Sequence, residues 1–123
     1  MKQLLALALA AVLLSSLSCA RNANEQKVAD DVTQAVYNND YASLQQNFDQ
    51  NTAAQLTRAS VGSLSDMMHQ LGSYRGITET GNDLVSHVYV FDAKFDKGDM
   101  TVRLRLDADG KVAAYRVTPG APR

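Results

Sequence analysis

Reactive side chains are few in this chain, and their spacing narrows the chemistry open to them. The two histidines, His69 and His87, stand 18 residues apart, and the one cysteine is Cys19. Zinc sites take three or four protein ligands, mostly His and Cys at close spacing, and two distant histidines with no usable cysteine fall short of that, so no metal is expected. The segment Asp107-Ala108-Asp109-Gly110 opens like a calcium-binding loop. Such a loop needs a glutamate at its twelfth position, and counting from Asp107 that position holds Thr118. A type I turn closed by a left-handed glycine accounts for the same four residues. The serines form no Gly-x-Ser-x-Gly elbow, and there is no glycine-rich phosphate loop. What remains is proton transfer, which needs an imidazole, carboxyl or tyrosine facing a cavity. His87, Tyr89, Phe91, Tyr74 and Leu104 are the candidate pocket-lining residues; no catalytic set and no cofactor is expected.

The elements that must position them belong to a small domain. The chain has 123 residues, 46% of them hydrophobic and 20% charged, with a formal charge of −1. That length allows one domain. No Lys/Arg block supplies the basic face that phosphate contacts need, so nucleic acid is not expected as a partner. A lone cysteine excludes an intramolecular disulfide.

Residues 1–20 read as an export signal. Lys2 gives a positive start, Leu4 to Leu14 form an unbroken apolar run, and small residues follow. The run is too short to span a bilayer of about 30 Å stably. Ser16-Leu17-Ser18-Cys19 resembles the lipobox of bacterial lipoproteins, with Ser16 where such boxes usually carry Leu. The resemblance implies that Cys19 is the lipidated first residue. With Ala20 after it rather than aspartate, it also implies the periplasmic side of a Gram-negative outer membrane. Ser18-Cys19-Ala20 competes as an ordinary cleavage site before Arg21, which gives a soluble periplasmic protein instead. Either cut removes Lys2, taking the charge from 12 − 13 = −1 to 11 − 13 = −2. The expected organisation is a signal peptide over 1–20, one domain over 21–118 and a tail over 119–123. With so short a linker, an acylated domain sits close to the membrane.

Residues 24–71 carry helical periodicity and residues 74–118 strand alternation. Asn22 and Glu25 fit a capping box, and Val28, Val32, Ala35 and Val36 make one apolar stripe. Asp40 caps a short second helix, Thr52 opens a turn, and Ser60–Leu71 turns Val61, Leu64, Met67, Met68 and Leu71 inward, ending at Gly72. His69 falls on that helix's surface. Strands are expected at 74–80, 84–95, 100–107 and 111–118, ended by Pro119 and joined as an antiparallel meander by tight turns. A turn at Lys97-Gly98 sets Phe95 opposite Met100 and Tyr89 opposite Leu106. This register turns His87, Tyr89, Phe91, Ala93 and Phe95 toward the helices, with Arg103, Arg105, Asp92, Val88 and Val90 on the other side. The two valines mark a homodimer surface through the sheet, or a strand end curling into the core.

Helices followed by a bent antiparallel sheet resemble the NTF2-like (cystatin-like α+β) superfold, so the expected class is α+β. Asn39-Asp40-Tyr41-Ala42, Gln70-Leu71-Gly72-Ser73-Tyr74, Val88-Tyr89-Val90-Phe91 and Leu106-Asp107-Ala108-Asp109-Gly110-Lys111-Val112 resemble the DUF3887 family of exported bacterial proteins. That family brings no catalytic residues with it. Enzymes of the superfold use an Asp base, a His–Asp pair or a Tyr acid in the helix–sheet cone, and no carboxylate is expected on the inward face here. The expected function is therefore a non-enzymatic, exported, lipid-anchored binding or protein-interaction module. Its partner is an envelope protein or a small ligand. The alternatives are a small-molecule binder or small enzyme using His87 and Tyr89, and a homo-oligomeric structural protein. Arg103 and Arg105, with Arg75 or Arg116 nearby, make either a solvated face or a site for an anionic partner or lipid headgroup.

Overall fold

The computed structural model describes residues 25–120. The expected signal peptide, Cys19 and the Asn22 half of the capping box lie outside the described residues, as do residues 121–123.

Helix α1 covers residues 25–37. It buries Ala29, Val32, Thr33 and Val36, the i, i+3, i+4, i+7 row of an amphipathic helix. It stops where Asn39 takes a left-handed φ of 55°. There the Asn39 amide reaches the Val36 carbonyl (3.0 Å) and the Asp40 amide the Ala35 carbonyl (2.7 Å), a Schellman closure. Asp40 then caps α2 (Tyr41–Asn47), its carboxylate accepting from the Ser43 amide at 3.2 Å. Helix α3 (Gln50–Gln55) is capped by Asp49 rather than opened by Thr52. The Asp49 carboxylate accepts from the Thr52 amide at 2.7 Å, and this leaves the Thr52 hydroxyl to donate to the Ala113 carbonyl. Helix α4 (Arg58–Gln70) begins two residues before the expected Ser60, on a reciprocal Thr57–Ser60 capping box.

One residue of α4 departs from the expected inward row. Met67 is 44% exposed while Met68 is fully buried. The buried row is Val61, Ser65 and Met68, which leaves Met67 a helical step off it. Ser65 takes the inward place because its hydroxyl donates to the Tyr37 carbonyl at 2.8 Å. Gly72 closes the helix with φ 90°, as expected.

Strands β1 (Tyr74–Asp83), β2 (Val88–Phe95), β3 (Asp99–Leu106) and β4 (Val112–Pro119) form one antiparallel meander in the order β1-β2-β3-β4. The helices pack on one side of it, an α+β fold with an open sheet. Ala93 pairs with Met100, Phe91 with Val102 and Tyr89 with Leu104, two residues away from the expected register. The cause is the turn, which closes through the Phe95 amide on the Gly98 carbonyl (2.9 Å) and so centres on Asp96-Lys97. An even shift keeps every side chain on its face. Tyr89, Phe91, Ala93, Phe95, Met100 and Val102 are accordingly buried against the helices.

A second correction concerns the β1–β2 connection. The strand does not run from Leu84; residues 84–87 are a turn, with His87 at φ 57° and exposed. The Asp83 carboxylate holds this turn by accepting from the Val85 and Ser86 amides. His87 therefore does not stand on the inward face of a strand. Bulges at Tyr74/Gly76 and Glu79/Gly81 bend β1 locally. The helical layer is tied to the β4 edge by the Asp49 amide on the Val112 carbonyl (2.9 Å). A Thr33–Tyr115 hydroxyl pair at 3.0 Å adds a second tie, to fully buried Thr33. Among the described residues, no helix is long and apolar enough to cross a membrane.

Candidate functional site

The candidate pocket residues separate to the two ends of β2. Tyr74 pairs with Phe95 at one end and Tyr89 with Leu104 near the other, about 20 Å apart at strand rise. Phe91, between them, and Leu104, beside Tyr89, are fully buried core residues. One cavity lined by all five residues is thus not formed.

At the Tyr74 end the side chains serve structure. The Tyr74 hydroxyl donates to the Asp30 carboxylate at 2.7 Å, and its ring meets Phe95 at 5.6 Å between centroids. Burial, and then the hydrogen bond and charge of Asp30, push its pKa far above the tyrosine value. His69 stacks on Tyr37 at 4.0 Å. Its Nδ1–H donates to the Ser65 carbonyl one turn back (2.8 Å), which commits that nitrogen to the helix.

At the Tyr89 end the start of α1 comes down on the sheet and leaves a polar cleft. One lobe of about 280 Å³ is lined by Glu25, Gln26, Glu79, Asn82, Leu84 and Tyr89. A second lobe of about 460 Å³ shares Glu25, Leu84 and Tyr89 and adds His87 and the Leu106–Gly110 corner. The Tyr89 hydroxyl donates to Glu25 at 3.2 Å. Gln26 anchors α1 beside it through the Ile77 carbonyl, and the Asn82 amide donates to Glu79 at 3.3 Å. Burial pushes the Tyr89 pKa up, and the charges of Glu25 and Glu79 push it further. The phenol therefore stays protonated and acts as a fixed donor.

The expectation that no carboxylate reaches the inward face is overturned here, by Glu25 and Glu79. Both had a signal in the chain. Glu25 continues the Ala29–Val32 row upward by one turn, and Glu79 pairs with inward Phe91. His87 lies at the rim of this cleft, carried by its turn. Asp107 is at the same corner, but its carboxylate accepts from the Asp109 and Lys111 amides at 2.9 and 2.8 Å. Its role is the tight turn expected for Asp107–Gly110. Among the described residues, no group of three or more His, Cys, Asp or Glu is placed to hold a metal ion.

The ionisable lining is acidic apart from His87, and neither Lys nor Arg lines the described cleft. Such a mouth disfavours anions and favours neutral or cationic groups that can accept from Tyr89 or donate to Glu25 and Glu79.

The family model for proteins of unknown function designated DUF3887 matches residues 29–114. No curated protein and no solved structure matches the chain.

Proposed function

This chain belongs to the DUF3887 family, and we propose that it is an exported, lipid-anchored, non-enzymatic envelope protein. Its single NTF2-like domain acts as a binding or protein-interaction module. Export and anchoring rest on the Lys2, Leu4–Leu14 and Ser16–Cys19 pattern, and the lipobox resemblance favours the periplasmic side of the outer membrane. The helical layer on one face of a four-stranded meander agrees with the NTF2-like arrangement.

The observation that carries the binding role is the Tyr89–Glu25 cleft. It sets a protonated phenol and two carboxylates around an accessible volume. In it Tyr89 donates to the ligand or to Glu25, and Glu25 and Glu79 receive a polar, neutral or cationic group. The binding partner is a small molecule or an exposed side chain of an envelope protein with that chemistry. Thermal-shift screening of the matured protein with neutral, cationic and anionic small molecules tests this. Stabilisation by neutral or cationic members that is lost in Tyr89→Phe and Glu25→Gln is expected. Stabilisation by anions, or shifts unchanged in both variants, contradicts it. Intact mass tests the anchor separately: acyl groups on a chain starting at Cys19 are expected, and an unmodified chain starting at Arg21 contradicts it.

A second reading, a small enzyme using His87 and Tyr89, draws on the fact that both line one cleft. Replacing both residues and finding that turnover of a cleft ligand persists removes it.

A further inference from the structure

The helices cover one face of the sheet, and the other carries a cationic cluster beside an apolar tip. Arg103 lies directly opposite Arg116 on β4 and opposite Val90 on β2; Arg105 lies opposite Ala114 and Val88. All three arginines are exposed. Among the described residues the salt bridges are Lys27–Asp31 and Arg75–Asp96, so none of the three is in one. Like charges directly opposite each other destabilise a strand pair, and an external anion relieves that cost.

The acids on this side are otherwise engaged or offset. Asp83, opposite Val88, turns its carboxylate to the Val85 and Ser86 amides. Asp92 is one rung further, opposite Thr101. Asp49 interacts with Arg105 through charge alone.

The tip next to this face is apolar. Leu84 is 67% exposed and Val85 93% exposed, four and three residues from half-buried Val88. Leu84 also edges the acidic cleft, so the anionic contact falls to the other side of the tip, where Arg105 lies opposite Val88. An exposed apolar tip with arginines on one side is the chemistry of contact with an anionic bilayer surface. The chain also leads to this end. Glu25 bonds to Tyr89, the neighbour of Val88, so α1 starts beside the tip. Cys19 precedes Glu25 by six residues, a reach of at most about 20 Å. An acyl chain on Cys19 thus confines this end of the domain to the membrane surface.

We propose that the Leu84-Val85 tip and the adjoining Arg103–Arg105–Arg116 face dock on an anionic phospholipid bilayer, as a second contact beside the lipid anchor. The proposal rests on the anchored reading for its tether. A second copy of the chain is the poorer occupant of this face, because a two-fold contact sets the arginines against their own images.

The chain contains no tryptophan, so Val85→Trp adds a single reporter at an exposed position. The matured full-length protein carrying it is reconstituted with phosphatidylethanolamine vesicles containing about one-third phosphatidylglycerol, and with phosphatidylcholine vesicles alone. The expected result is a blue-shifted indole, quenched by brominated lipid, on the anionic vesicles only. Both effects are lost when Arg103→Gln and Arg116→Gln are added, with the melting temperature not lowered. Water-like emission on anionic vesicles overturns the proposal, as does quenching that survives the arginine changes. A concentration-dependent dimer in lipid-free sedimentation, abolished by the same changes, assigns the face to a second copy and also overturns it. Intact mass of the same sample reads the anchor independently, so a missing acyl group and a missing contact are told apart.

Discussion

Substituting Gly72 by alanine separates two costs that the fold imposes at the end of α4. Gly72 sits at φ 90°, and a Cβ built there meets the Asp96 Cβ at 2.7 Å and its Oδ2 at 2.9 Å. Gly110 is the natural control, because its φ of 79° is similar while nothing lies within 4 Å of its Cβ position. Left-handed backbone costs an L-residue about 1–2 kcal/mol. Gly110→Ala therefore loses about that much, or roughly 4–15 °C in melting temperature for a domain of this size. Gly72→Ala adds an overpacking cost of about 1–3 kcal/mol, since either Asp96 or the backbone has to move. Moving Asp96 disturbs its bonds to the Ser73 amide and to Arg75, which pin the α4–β1 connection and the start of β1 to the β2–β3 turn. Chemical denaturation followed by circular dichroism reads both variants. The expected order is wild type, then Gly110→Ala, then Gly72→Ala, with about 1–3 kcal/mol between the last two. Equal losses in the two variants refute the close approach of α4's end to Asp96.

Other consequences concern the core and the response to acid. Phe91→Ala removes a fully buried ring and is expected to cost about 3–5 kcal/mol, whereas Val85→Ala at the exposed tip stays within about 0.5 kcal/mol of wild type; denaturant midpoints check both. Asp96 is held below its usual pKa of 3.8 by the Ser73 amide first and then Arg75, and Asp49 by hydrogen bonding from Thr52. Groups depressed in the folded state contribute fully above 3.8 and lose that contribution as pH falls through their lower folded values. Melting temperature should therefore drop on acidification below about pH 4, and Asp96→Asn should flatten the drop; an unchanged acid limb contradicts the assignment.

How much of this was legible in the chain depends on the periodicity involved. The inward face of β2 and β3 could be read because side chains alternate with period two, so a turn misplaced by one residue shifted the partners and spared the faces. The Leu84–His87 turn was hidden by its own composition. Leu84 and Val85 look like strand, and the turn is made by the Asp83 carboxylate and a left-handed His87. Met67 stands exposed against expectation because polar Ser65 holds the inward place, and its bond to the Tyr37 carbonyl lies 28 residues away along the chain. The cleft was hard for the same reason. Glu25 and Tyr89 are 64 residues apart, and only the packing of α1 on the sheet brings them together.

The claim on which the functional account turns is that Tyr89 is a fixed, protonated donor in the cleft. A spectroscopic titration of the tyrosines, wild type minus Tyr89→Phe, measures it directly. Burial and two carboxylates raise this pKa in the fold, so the stability it contributes is complete below the ordinary tyrosine value of 10.0 and is lost only as pH rises through the higher folded value. The account predicts that the phenolate of residue 89 appears with a midpoint above 10. A phenolate with its midpoint at or below 10 contradicts it and turns the cleft toward acid–base chemistry.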